Sequence, residues 1–260
     1  MPDFSPPRFR YRAALSVWRR NVLVWRKLIA PALVINFGEP LLYLLGLGYG
    51  LGFYIGKMAG MPYLTFLASG IMTSAVMNTA SFEGLYSVYT RMVPQQTYAA
   101  ILATPVDVDD IVAGEALWCA TKGLLSGAAI LVVAVLLGLV HNFSALWVLP
   151  VMVLTGLCFA SLALIVSALS TSYDFFNYYY TLVLAPLFFL CGIFYPITTF
   201  PAALQDLVQY LPLTPAVELM RPLVSGQPLT HVPRHLLVLS VYTVAAFYVA
   251  TMLARRRLLT

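Results

Sequence analysis

Glu39, Glu83 and Lys122 fall well inside long apolar runs, where an ionised side chain is costly and is by default a functional candidate. Two chemistries suit such groups. They line a path for a polar solute, or they pair into an ion bridge that locks helices together. Counted from the ends of their runs, Glu39 and Lys122 lie at similar depth and are the expected pair, with Glu83 nearer the surface. Asp107, Asp109 and Asp110 have the look of a metal-dependent transferase cluster. They also stand at the start of an apolar run, where carboxylates satisfy free helix amides and suit the helix dipole. The second reading is preferred. A metal needs further ligands, and neither His141, His231 and His235 nor Cys119, Cys158 and Cys191 supplies them at ligating spacing.

Nucleotide chemistry is excluded by the motifs. A phosphate-binding loop needs a leading glycine and a hydroxyl after its lysine. Around Gly56-Lys57 these positions are Leu51 and Met58. Ser225-Gly226-Gln227 lacks the second glycine of an ATPase signature. ATP chemistry coupled to this chain therefore belongs to another polypeptide. Phe175, Phe176, Tyr178, Tyr179 and Tyr180 have ring faces on which a sugar could stack, but at the edge of an apolar run they read first as an aromatic belt.

The elements that position these residues are set by hydropathy. Of 260 residues, 61% are hydrophobic and 10% charged, against about 25% charged in soluble domains, so a water-facing surface cannot be covered. The apolar residues fall in long blocks, which favours helices over a barrel. The reading is an all-α polytopic membrane protein, a single transmembrane domain over 1–260. Its six expected spans are 31–54, 63–89, 111–140, 146–170, 176–195 and 236–253. Ahead of them, 9–29 reads as an amphipathic interfacial helix, with Tyr11, Leu15, Trp18, Val22, Trp25 and Ile29 on one face. Arg19, Arg20 and Arg26 lie off that face, and the helix is expected in the membrane plane against anionic lipid. Gly46, Gly48, Gly50 and Gly52 give two overlapping small-residue pairs that permit close helix approach.

Charge sets the orientation. With both ends inside, the cytoplasmic segments hold eleven basic residues and the opposite side three, Lys57, Arg221 and Arg234. Both termini are therefore expected in the cytoplasm, which requires an even number of spans. Two connections are too structured to be plain turns. The cytoplasmic one carries a short helix within 94–105, with Thr97 as its expected cap. The external one, 196–233, reads as a re-entrant helical hairpin over 201–211 and 215–225.

Several ordered motifs resemble the type-2 family of ABC exporter permeases, and within it the NodJ group of lipo-oligosaccharide export permeases. They begin with Trp18-Arg19-Arg20-Asn21, Val24-Trp25-Arg26-Lys27-Leu28 and Pro40-Leu41-Leu42-Tyr43-Leu44-Leu45-Gly46-Leu47-Gly48. Ala120-Thr121-Lys122-Gly123, Ser172-Tyr173-Asp174-Phe175-Phe176, Leu211-Pro212-Leu213 and Leu219-Met220-Arg221-Pro222 follow. The resemblance implies a homodimer in a bacterial inner membrane with two cytosolic ATPase subunits. Those partners would hold the ATP and magnesium, with no cofactor, metal or nucleic acid on this chain. It also implies that Gln95–Thr104 is the coupling helix, with Gln95, Tyr98, Ile101, Leu102 and Thr104 at the ATPase contact. Relatives often have an acidic residue there, whereas this chain reads Thr97-Tyr98-Ala99-Ala100. Tyr98, Ile101 and Leu102 are three and four apart, and their shared side is expected to enter a cleft on the ATPase. The implied substrate is an amphipathic lipo-oligosaccharide or glycolipid. An ion-coupled secondary transporter, which the intramembrane charges would suit, and a membrane-embedded transferase, which the aspartates would suit, are the alternatives.

The orientation has a direct test. In a background without the native cysteines, an impermeant maleimide added outside should label Ala203→Cys and leave Ala99→Cys unmodified. The reverse order would overturn the topology.

Overall fold

The computed structural model describes residues 7, 10–140 and 142–259; the side chains of 28–37, 39 and 40 lie outside that description. Glu39, Ile29 and His141, each named above, are among the side chains left out.

The first helix, α1 (Tyr11–Trp25), passes through a short 3-10 turn into α2 (Ile29–Ile55). A two-residue antiparallel ladder of β1 (Lys57–Met58) and β2 (Met61–Pro62) follows, a small departure from an all-helical chain. It closes the turn in which Gly56, Ala59 and Gly60 take positive φ. Next, α3 (Tyr63–Phe82), a π-helical segment Glu83–Ser87 and α4 (Val88–Met92) form one continuous rod. The short α5 (Thr97–Leu102) leads to α6 (Val108–Leu136) and α7 (Val148–Leu169). A second rod joins α8 (Asp174–Tyr179), the π-helical Tyr180–Leu184 and α9 (Ala185–Leu190). Then come α10 (Ala202–Val208), α11 (Leu213–Ser225) and α12 (Val232–Leu259).

Among the described residues three helices are long and apolar enough to cross a membrane: Val108–Leu136, Phe143–Leu169 and Val232–Leu259. Among the described residues, the apolar stretch of α2 is shorter, Leu41–Ile55. Helix α3 is diluted by Thr65, Ser69, Thr73, Ser74 and Ser81, all buried in the bundle. Their hydroxyls are absorbed locally where bonds form: Ser69, Thr73 and Ser74 donate to carbonyls three or four residues back. This makes α3 a central helix, packed against α2, α6, α7 and α11.

Several boundaries differ from the sequence reading for identifiable reasons. The 111–140 run is helical from Val108 because Asp107 caps it, and it stops at Leu136 just before Gly138 at φ +70°. The 176–195 run is helical only to Leu190, ending at a turn with Gly192 at φ +79°. Thr97 is the first helical residue of α5, not its cap. Gln96 precedes it in the left-handed region at φ +50°.

Helix α1 packs along α6. Its buried residues are Ala14, Val17 and Asn21, facing α6, while Tyr11 and Leu15, expected on the apolar face, are exposed. The dock is Gly114: a Cβ there would stand 2.6 Å from the Ala14 carbonyl oxygen and 2.6 Å from Val17 Cβ. The same device recurs where Gly84 meets Ala163 and Gly156 meets Ala120. Of the glycine pairs in α2, Gly48 faces Leu64, whereas Gly46 and Gly50 face open space.

Gly114→Leu should push α1 off α6 and cost roughly 1–3 kcal/mol, the usual range for overpacking. Thermal unfolding in detergent and proteolytic nicking of 11–25 would register it. Gly50→Leu should leave both readings unchanged.

Candidate functional site

The charged side chains gather at one end of the bundle, in two layers. In the outer layer the N-terminus of α6 is built from the acidic triplet. The backbone N–H of Asp107 donates to Asp110 Oδ2 at 3.0 Å, a reach-back that caps the helix. Arg10 Nη2 lies 3.1 Å from both Asp107 and Asp110 carboxylates. Arg255 grips Asp109 through two nitrogens, Nε at 2.7 Å. The triplet thus ties the start of α1 and the end of α12 to the start of α6. Among the described residues no group of three potential ligands could hold a metal. Arg257 Nη1 donates to the carbonyls of Ser167, Ala168 and Ser170, the acceptors left over where α7 ends.

The inner layer is one network around Arg91. Its Nη2 donates to Glu115 Oε2 at 2.8 Å and to Glu83 Oε1 at 3.3 Å. Glu115, only 1% exposed, also accepts from Asn21 Nδ2 at 3.0 Å. Glu83 accepts from Trp118 Nε1 at 2.8 Å and lies 3.6 Å from Lys122 Nζ. Lys122 is further held near two indoles, 5.4 Å from the Trp25 centroid and 5.9 Å from that of Trp118. Trp25 and Trp118 meet edge to face, and Trp18 Nε1 donates to Thr121 Oγ1 at 3.0 Å. Two carboxylates and two cations, all from the α3–α4 rod and α6, therefore meet with no net charge, and α1 adds the Asn21 amide.

The partner of Lys122 is thus Glu83, not the expected Glu39, whose side chain lies outside the described residues. Depth along separate runs does not say which runs are neighbours, and α3 lies along α6. Arg91, Glu115 and Asn21 were missed as network members. Glu115 sits five residues into the 111–140 run and was a visible signal. Arg91 was counted only as an inside charge. Of the α1 residues singled out, Trp18 and Trp25 face α6, Arg20 bonds Asn21 at 3.0 Å, and Arg19 and Arg26 are exposed.

In α5 the side expected at an ATPase contact is packed within the chain. Tyr98 is 2% exposed and packs with Val17, Val88, Ile111, Val112 and Leu164, while Ile101 and Leu102 lean on the same cluster. That side is filled by the chain itself. The outward side carries Gln95, Gln96, Ala99, Ala100, Ala103 and Thr104. Burial, and then the Glu115 carboxylate, push the Tyr98 hydroxyl well above its usual pKa.

At the far end, Arg221 is also buried, although it was counted as a loop charge. Its Nε donates to Ser69 Oγ at 3.2 Å, Nη2 donates to the Gly192 carbonyl, and its carbon Cζ lies 3.6 Å from the Phe66 centroid. It clamps α11 to α3 and to the turn that ends α9. In the aromatic run, Phe176 and Tyr179 are buried, whereas Phe175, Tyr178 and Tyr180 are exposed.

Comparison with known proteins bears on what this arrangement serves. A family model described as ABC-2 type transporter matches residues 11–225. Nodulation protein J of Rhizobium meliloti (strain 1021) is 44% identical over 245 residues, covering 94% of each chain. Its counterpart in Sinorhizobium fredii (strain NBRC 101917 / NGR234) is 40% identical over 246 residues, 95% of this chain and 94% of that one. The inner membrane transport permease YadH of Escherichia coli (strain K12) is 25% identical over 201 residues, 77% and 78% of the two. No solved structure matches.

Because Arg91 serves two carboxylates, Arg91→Met should cost about 3–5 kcal/mol, the penalty for leaving buried charge unpaired. Lys122→Met should cost less, since Glu83 keeps Arg91 and Trp118. Chemical denaturation of the two variants side by side checks the order. In a cycle with Glu83→Gln, Lys122→Met should be non-additive.

Proposed function

The chain belongs to the ABC-2 type transporter family and is a multi-pass membrane transport subunit; from that premise we propose that it exports an amphipathic lipo-oligosaccharide or related glycolipid. In this reading it is a homodimeric permease of a bacterial inner membrane, with six spans and both termini in the cytoplasm. Two cytosolic ATPase subunits supply the ATP and magnesium chemistry. The observation that carries the proposal is the likeness to nodulation protein J along nearly the whole of both chains.

The charged end then faces the cytoplasm, in keeping with its excess of arginine. Helix α5, six residues held between Pro94 and Pro105, is too short to persist alone in water. Its inward face is fixed by Tyr98, so its outward face is the one offered to an ATPase. Ala99, Ala100 and Ala103 give that face a low, flat profile that a partner's side chains can approach closely.

The test pairs opposite faces of one helix. Ala99→Trp with Ala103→Trp should leave thermal stability unchanged and reduce ATPase co-purification by about tenfold or more, as for a change at a central contact. Tyr98→Ala should instead lower stability, by roughly 3–5 kcal/mol for a large-to-small aromatic change. Normal ATPase capture by the tryptophan pair would remove α5 from the contact. Failure of the wild-type chain to capture an ATPase would sink the exporter reading itself.

A further inference from the structure

Helix α3 runs through the middle of the bundle, and of its 20 residues only Phe82 is exposed, at 55%. That ring belongs to an ordered group. Phe82 stacks on Tyr86 with centroids 4.4 Å and planes 24° apart, and Tyr86 lies parallel to Tyr173 at 6.1 Å and 13°. Three rings from two rods are thus nearly parallel, with the half-buried Tyr86 in the middle and the exposed Phe82 and Tyr173 at the ends. The Tyr173 hydroxyl is fixed 2.8 Å from Thr90 Oγ1. An interfacial belt needs no such order, since its rings act singly, each with an apolar body and a wet tip.

Polar side chains flank the rings. One turn before Phe82, Asn78 and Thr79 are half-buried, and one turn after Tyr173, Asn177 is exposed. Among the described residues no hydrogen bond engages these three side chains, whereas Ser69, Thr73 and Ser74 of the same α3 are spent on backbone carbonyls. An amide turned to hydrocarbon leaves its donors and acceptor bare, so this strip suits a polar solute better than acyl chains. Ring faces edged by free amides and a hydroxyl match what a sugar presents. Its C–H face lies on the aromatic ring, and the hydroxyls around its rim take the polar groups. That face is flattest where the ring substituents are equatorial, as in a β-linked glucopyranose chain. Resting on the exporter reading above, we propose that Phe82, Tyr86 and Tyr173 form a stacking platform for the sugar portion of the substrate, with Asn78, Thr79 and Asn177 taking its hydroxyls. Glu83 and Arg91 adjoin the platform in the chain, which places it at the charged end, the cytoplasmic one in that reading. The sugar is met there as it enters.

Saturation-transfer NMR with cellotetraose on the permease–ATPase complex in nanodiscs reads the contact through the pyranose C–H protons. Phe82→Leu and Tyr173→Leu should each weaken binding about three- to tenfold, the scale of one ring-to-ring contact. Phe82→Tyr and Tyr173→Trp keep a ring face and should bind as the wild type does. Asn78→Leu should weaken binding too, although it makes the strip more apolar. Undiminished binding in both leucine ring variants overturns the platform. So does displacement of the sugar by laurate, which marks a groove for acyl chains. Both end rings are exposed, so their replacement leaves the core alone. Were a ring variant not to assemble, Asn78→Leu carries the test, and unchanged or tighter binding there overturns the proposal. A wild-type complex that does not bind cellotetraose overturns this inference and counts against the glycolipid substrate as well, whereas a binding wild type with unchanged ring variants rejects this inference alone.

Discussion

A guanidinium that has left water needs its countercharge supplied by the protein, and in this chain Arg91 finds it on two elements at once. Glu83 belongs to its own rod and Glu115 to α6, with Nη2 shared between them. Such a pair adds little net stability over an apolar replacement, but breaking it is expensive. Its effect is therefore on register. Sliding α6 by one turn along α3, about 5.4 Å, would carry Glu115 out of reach and leave charge unpaired on both sides. Asn21 reads the same carboxylate from α1, so one carboxyl group aligns three helices.

Around that fixed point, helix contact is made by small residues more than by large ones. In an apolar surround there is little hydrophobic drive to bring helices together, and close backbone approach does the work instead. Gly114 under Ala14, Gly84 against Ala163 and Gly156 against Ala120 are such approaches, all on helices joined by the charged end. The π-helical segment at Glu83–Ser87 belongs to the same design. It inserts an extra residue into the rod, which re-aims the side chains on either side of it. Glu83 and Arg91, at its start and just beyond its end, consequently share one partner zone. At the far end a different solution serves. Arg221 donates to the Gly192 carbonyl where α9 has stopped, so a broken helix keeps its acceptors satisfied.

Much of this was legible in the sequence, and what was not has a physical reason. The apolar blocks, the capping aspartates and the short helix between two prolines follow from composition and local chemistry, each of which acts within a few residues. Pairing does not. Lys122 has Glu83 for a partner because α3 lies along α6, a fact carried by Gly123 close to the Val76 carbonyl and by no charge pattern. Glu115 went unremarked although it stands inside a run, because a carboxylate so near the run's start reads as part of the cap. The burial of one face of α5 was not legible for a related reason. Periodicity groups Tyr98, Ile101 and Leu102 on one side but cannot say whether that side meets its own chain or another. The buried Tyr98 answers that: this side meets its own chain.

That burial ties the short helix to the bundle by more than its two flanking loops. Had α5 offered its aromatic residue to a partner, its tie to the membrane bundle would have been two loops, each free to absorb displacement. With Tyr98 rooted among Val17, Val88, Ile111 and Leu164, the helix shares a core with α1, α4, α6 and α7. It cannot be displaced without disturbing that core. The outer arginines act on the same region from outside, since Arg10, Arg255 and Arg257 clip the first and last helices to α6 and α7.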